Sequence, residues 1–291
     1  MTYLVGYSPH KDDRGALALA CQFARSESDD VHALTVVPRG WETAAGSATD
    51  GEFEAWAAAE GEASAAEAAA LLAEHSDITS TATWVTGRSV PAAMLEQAEA
   101  LGASLIVVGS GADGPHGRVA MTSKTDRLLH SSHVPVVIAP RGYTTAAGDR
   151  ITRVTLAFRD DDATWALLDK VAEICTRVGA ELRLLTVALR QKTMVTSPVR
   201  RNEELVYQRL LEQVHDAQAE AVEHLAGKGL HPDAVVARGT SWPDALDGLE
   251  WFGGDVLVVG SSRTHQLANV FLGSSAAKIV RNSPVPVVVV P

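Results

Sequence analysis

Two glycines and a serine pair carry the most specific chemistry in this chain. Gly260 closes an apolar run, "DVLVVG". Gly273, Ser274 and Ser275 then open the segment "GSSAAKIVRN" ahead of the proline-flanked tail "SPVPVVVVP". A strand that ends on glycine lets a ligand approach the backbone. A helix that starts after glycine leaves its first N–H groups free, with about half a positive charge at that end. The pattern suits an anion such as a phosphate, with the Ser274 hydroxyl as an added donor. The same residues also serve as a tight turn and a plain N-cap. The first half holds a similar stretch, "GSGADG" from Gly109, followed by Thr122, Ser123 and Lys124. That stretch fits G-x-G-x-x-G only formally. It follows a late strand, whereas the dinucleotide fingerprint belongs to the first strand–helix turn with an acid after the next strand.

These residues need a scaffold, and the scaffold is written twice. Gly109 and Gly260, Pro135 and Pro286, and Thr35 and Thr186 are each 151 positions apart. Gly87 and Gly239 are 152 apart, so one insertion intervenes. Each half reads strand, helix, strand, long helix, strand, helix, strand, loop, helix, strand. In the first half the long helix is alanine-rich, a strong helix-forming composition. In the second half "ATWALLDKVAEICTRVG" places Leu167, Val171, Ile174 and Val178 at helical spacing. Alternating elements with continuous apolar strands predict an α/β fold of two tandem flavodoxin-like (Rossmann-like) domains. Each would be a mostly parallel five-stranded sheet between helices. The expected domains are 1–141 and 151–291, with "RGYTTAAGDR" between them. The last strands, "VPVVIAP" and "VPVVVVP", would be aggregation-prone edges if left unpaired. Pairing one with the other predicts an internal pseudo-dimer.

The bulk composition narrows the function. The chain has 291 residues, is 46% hydrophobic and carries a formal charge of −11. Such an acidic surface is a poor match to nucleic acid, which is bound through cationic neutralisation of phosphates. No apolar run reaches the roughly 18 residues of a membrane span. The start "MTYLVGYSPH" reads as a first strand rather than a leader. Cys21 and Cys175 read as buried small hydrophobes, not a disulfide or metal pair. A cytoplasmic location is expected. Walker, zincin, C-x-x-C and nucleophile-elbow motifs do not occur. His116 and His265 fall in the two glycine loops and read as exposed. Trp242, beside Pro243, reads as packing at a strand–helix turn. The stretch from Pro38 to Gly51 reads as a long loop, a disordered segment in preference to a mobile lid.

Each half resembles the universal stress protein family. Members that bind ATP carry G-x-x-G, a spacer and G-[ST], then a tail like "SPVPVLVV". The second half reads Gly260-Ser261-Ser262-Arg263, nine residues, Gly273-Ser274, then "SPVPVVVV". The resemblance covers nearly the whole chain as a tandem pair and implies an adenine nucleotide, ATP, held mainly by the second half. Arg263 departs from the pattern: it stands where the second glycine belongs, either obstructing a phosphate or contacting it. In the first half Ala112 replaces that glycine and Thr122-Ser123 replaces the G-[ST] pair, leaving Gly109 and Ser123 as a degenerate site. The family's ribose-contacting aspartate is absent at its usual place. Ser8 and Arg159 stand there, with Asp12, Asp13 and Asp160 nearby as substitutes or as ordinary helix-start charges. The adenine would lie near Val36, Val37 and Val187. The binding set is therefore Gly260, Arg263, Gly273, Ser274, Ser275, Val187 and Asp160. No metal ligand and no general base is in place, so the expectation is a stress-response binding protein and not an enzyme. Its partners would be a nucleotide, its own second half and a second copy in a homodimer. The alternatives are a nucleotide-free interaction protein of the same fold and a weak ATP hydrolase.

Overall fold

A computed structural model describes residues 1–9, 14–40, 48–190, 197–261 and 272–291. In the two long helices side chains are described from residues 51 and 203. The first repeat runs β1 (Thr2–Tyr7), α1 (Arg14–Glu27), β2 (Asp30–Pro38), α2 (Ala48–Ala73), β3 (Ser80–Gly87), α3 (Val90–Leu101), β4 (Ala103–Val108), α4 (Ser123–Ser131) and β5 (Val136–Ile138). The second runs β6 (Arg153–Ala157), α5 (Asp162–Val178), β7 (Glu181–Leu189), α6 (Ser197–Ala226), β8 (Asp233–Gly239), α7 (Trp242–Asp247), β9 (Asp255–Gly260), α8 (Ser274–Asn282) and β10 (Val287–Val290).

All ten strands join one sheet in the order β3-β2-β1-β4-β5-β10-β9-β6-β7-β8. Within each repeat the strands are parallel. The repeats meet where β5 and β10 pair antiparallel, Val136 opposite Val289 and Ile138 opposite Val287. Each repeat thus covers the other's apolar edge, as expected of two unpaired valine strands. The sheet is mixed because of this one antiparallel joint.

Helices α1, α2, α5 and α6 pack one face around Leu19, Leu72, Leu168 and Leu225. Helices α3, α4, α7 and α8 pack the other around Met94, Leu128, Leu246 and Val280. In α5 the inward stripe is Leu167, Leu168, Val171, Ala172 and Cys175, whereas Ile174 is 37% exposed. The helical period was legible there, but the buried face is turned by about one residue from the Leu167–Ile174 line. Both cysteines lie inside, and burial raises the thiols to about 11 at Cys21 and about 12 at Cys175. Thiols so disfavoured as thiolates are poor nucleophiles.

Residues 141–150 lie along α1. Tyr143 donates to Gln22 Oε1 at 2.6 Å, and Gln22 Nε2 donates to the Arg150 carbonyl at 3.1 Å. Arg25, nearly buried, donates to the Asp149 carbonyl at 2.8 Å while its fork grips Asp77. The connection between repeats is therefore tied down by hydrogen bonds despite its loop-like composition. Among the described residues, no helix is long and apolar enough to cross a membrane.

Candidate functional site

In parallel α/β sheets, ligands sit beyond the carboxyl ends of the strands. The second repeat has a cavity of about 490 Å³ there. That volume lies within the range of small-molecule sites. Gly260, Gly273, Ser274, Ser275 and Val187, all singled out by sequence, line it. Arg263 lies outside the described residues, as do Asp12, Asp13 and His265.

The polar end is built by α8. Gly273 precedes it with φ −57° and ψ 155°, and among the described residues no side chain caps the helix. The first amides of a helix have no partner within it. A glycine N-cap therefore leaves them to whatever occupies the cavity. Beside them, Ser261 donates its amide to the Val290 carbonyl at 2.8 Å, while its buried Oγ has no hydrogen-bond partner among the described residues. A buried hydroxyl without a partner is costly unless a ligand or water meets it. Together these features fit a phosphate-bearing molecule.

The first repeat is arranged differently at the same place. Its cavity is about 160 Å³ and is lined by Gly109, Ser110, Thr122, Lys124 and Met94. That is below the usual size of a ligand site. Thr122 caps its own helix, its Oγ1 accepting from the Thr125 amide at 3.1 Å. Ser123 is exposed and is not among the lining residues. The glycine loop closes on itself. Gly111 donates to the Ala120 carbonyl at 2.8 Å, Ala120 donates to Ser110 Oγ at 3.0 Å, and Ser110 donates to the Ala139 carbonyl at 2.6 Å. The Ser110 hydroxyl is thus engaged, whereas the Ser261 hydroxyl, 151 positions later, has no partner among the described residues.

Asp160 does not reach the cavity. Its Oδ1 accepts from the Trp165 indole at 2.9 Å. The neighbouring Asp161 lines the cavity instead. It N-caps α5 by accepting from the Thr164 amide at 2.9 Å and pairs with Arg159. Burial works against its ionised form, but the Thr164 amide and the Arg159 guanidinium outweigh it and hold the carboxyl below its ordinary value. Asp161 is thus an engaged carboxylate. Sequence reasoning read Trp242 as packing at a strand–helix turn, named Ser261 only as a spacer of the glycine motif and passed over Lys170; all three line the cavity. Ser261 was legible beside Gly260. Lys170 and Trp242 come from distant helices and have no local spacing signal.

The universal stress protein family model matches residues 1–140 and again 150–291. A universal stress protein of Mycobacterium tuberculosis is 36% identical over 295 aligned positions, covering all of both chains, and one of Mycobacterium bovis matches equally. The crystal structure of a universal stress protein from Archaeoglobus fulgidus superposes with a TM-score of 0.65 at 17% identity, covering 99% of this chain and 97% of that one. At that identity the superposition speaks for the fold. The repeat, the ten-stranded sheet and the two family matches lead to one conclusion: this chain belongs to the universal stress protein family, in its tandem two-domain form.

Proposed function

We propose that the protein is a stress-response regulatory protein of the cytoplasm that binds an adenine nucleotide, ATP, in its second repeat. The observation that carries this reading is the contrast between α8 and α4. Among the described residues α8 has no side-chain cap and the Ser261 hydroxyl no partner, beside a cavity of about 490 Å³, whereas α4 is capped by Thr122 over about 160 Å³. Triphosphate oxygens would sit on the amides of Ser274 and Ser275, and the base would lie toward Val187. When bound, the nucleotide supplies charge and a recognisable shape rather than chemistry. Asp161, engaged by Thr164 and Arg159 and held ionised, is a poor proton acceptor toward water. On this reading the protein acts as a binder.

Thermal melts with ATP, AMP, cyclic AMP and no ligand test the reading. A ligand at about a hundred times its dissociation constant adds roughly 2.7 kcal/mol. Gly273→Val should remove the shift, and Thr122→Val should leave it. Melts unmoved by all three nucleotides would overturn it. The first repeat favours a second role alongside, that of a nucleotide-free structural partner. Its closed glycine loop reaches across to the second repeat through Arg118.

A further inference from the structure

We propose that Trp242 is the base-stacking wall of the second-repeat cavity, and that it makes this site select aromatic-base nucleotides over bare polyphosphate. The inference rests on the nucleotide reading and names the residue that would recognise the base.

The cavity has a polar end and an apolar wall. The polar end is the start of α8. The wall is made by Val187, Ala276, Ile279 and Trp242, which share the apolar cluster beneath α7 and α8. Trp242 and Phe158 are the aromatic residues that line the cavity among the described residues; Phe158 is buried and meets Trp165 edge-on, which leaves the half-buried indole as the ring beside α8. Its backbone is held firmly. Ser241 caps the turn by accepting from the Asp244 amide at 3.3 Å, and Asp244 Oδ2 accepts from the Thr240 amide at 2.7 Å. Pro243 fixes its own φ and restricts the backbone of the preceding Trp242. A ring on so constrained a turn loses little freedom when a ligand stacks on it.

Lys278 Nζ lies 5.9 Å from the centre of the indole. Lys278 is four residues after Ser274, so both project from one face of α8. The ring is thus tied to the helix whose start would hold the phosphates. The first repeat has Val90 in the register position of Trp242, and Met94 lines its smaller cavity. A Cβ on Gly6 would stand 3.0 Å from Met94 Cε. Each cavity has one aromatic residue from the end of its first strand, Tyr7 or Phe158, but the added indole occurs only beside the larger cavity.

Calorimetric titration of wild type, Trp242→Leu and Trp242→Phe with ATP and with inorganic tripolyphosphate tests the proposal. Base–aromatic stacking corresponds to roughly a tenfold change in affinity. Trp242→Leu should weaken ATP about tenfold while leaving tripolyphosphate within about twofold, and Trp242→Phe should keep most of the ATP affinity. Equal ATP binding by Trp242→Leu and wild type would overturn the stacking role, and so would equal weakening of both ligands. Tripolyphosphate binding without ATP binding would sink the base wall but leave the anion site. Wild type binding neither would remove the nucleotide reading itself. Should Trp242→Leu fail to fold, the Phe variant decides: ATP affinity lost despite a retained ring would count against stacking.

Discussion

Arg118 and Asn282 join the two repeats across 164 positions of sequence: Nη1 of Arg118 donates to the Asn282 carbonyl at 2.7 Å. The Nη2 group pairs with Asp247. Asn282 ends α8 and Asp247 ends α7, so one guanidinium from the first repeat's glycine loop holds the far ends of both helices that line the second cavity. A cation at the carboxyl end of α8 also complements the helix dipole.

Removing this guanidinium should loosen the joint. Arg118→Leu is expected to cost about 1 kcal/mol in urea unfolding, because the pair is partly exposed and the carbonyl contact is charge-assisted. It should also shrink the ATP-dependent melting shift. Asp247→Asn should lose less than half as much stability, since the contact to Asn282 survives. Equal losses would assign the joint to the ion pair alone.

His32 makes stability depend on pH. Its ring nitrogens meet Thr81 Oγ1 at 2.8 Å and Thr83 Oγ1 at 2.7 Å, and burial holds the imidazole below its ordinary value of 6.5. The unfolded chain therefore takes up this proton at higher pH than the folded protein. The contribution is fully present above pH 6.5 and is lost as the pH falls through the folded value. His32→Gln should flatten the decline of denaturant stability between about pH 7.5 and pH 5. A decline of the same slope in the variant would assign it to other groups.

Arg153 and Asp255 form the pair whose halves should behave most unequally when one is removed. Asp255 is 1% exposed at its side chain and receives Arg153 Nε at 3.1 Å and the Phe252 amide at 3.0 Å. Arg153→Met strands that carboxylate and should cost about 3–5 kcal/mol in chemical denaturation. The double variant Arg153→Met, Asp255→Val should recover part of this, because the stranded carboxylate is gone, although the buried Arg183 then loses the Asp255 charge near it. A double variant no more stable than the single would contradict the account.

Gly61 inverts the usual effect of alanine in a helix. Gly-to-Ala inside a helix ordinarily stabilises by about 1 kcal/mol. Here a Cβ would stand 2.3 Å from Trp84 Cδ2. Gly61→Ala should therefore destabilise by about 1–3 kcal/mol. In a Trp84→Leu background the same change should turn neutral or stabilising, and melting of the four proteins reads the sign directly.

The chain by itself determined the repeat, the alternation of strands and helices, and the contrast between a Gly273 start and a Thr122 start. These are local: dihedral preference, side-chain period and capping act over a few residues, so they can be read along the sequence. The pairing of β5 with β10 was also legible, because two valine strands flanked by proline have few other ways to cover their edges. The tertiary structure alone decided that Met94 lines the smaller first cavity, that Asp161 rather than Asp160 faces the second, and that Trp242 lines its wall. It alone placed Arg118 on the helices of the other repeat. Whether a cavity stays open, and which of two adjacent carboxylates reaches it, depends on packing between side chains far apart in sequence, and no local spacing encodes that packing.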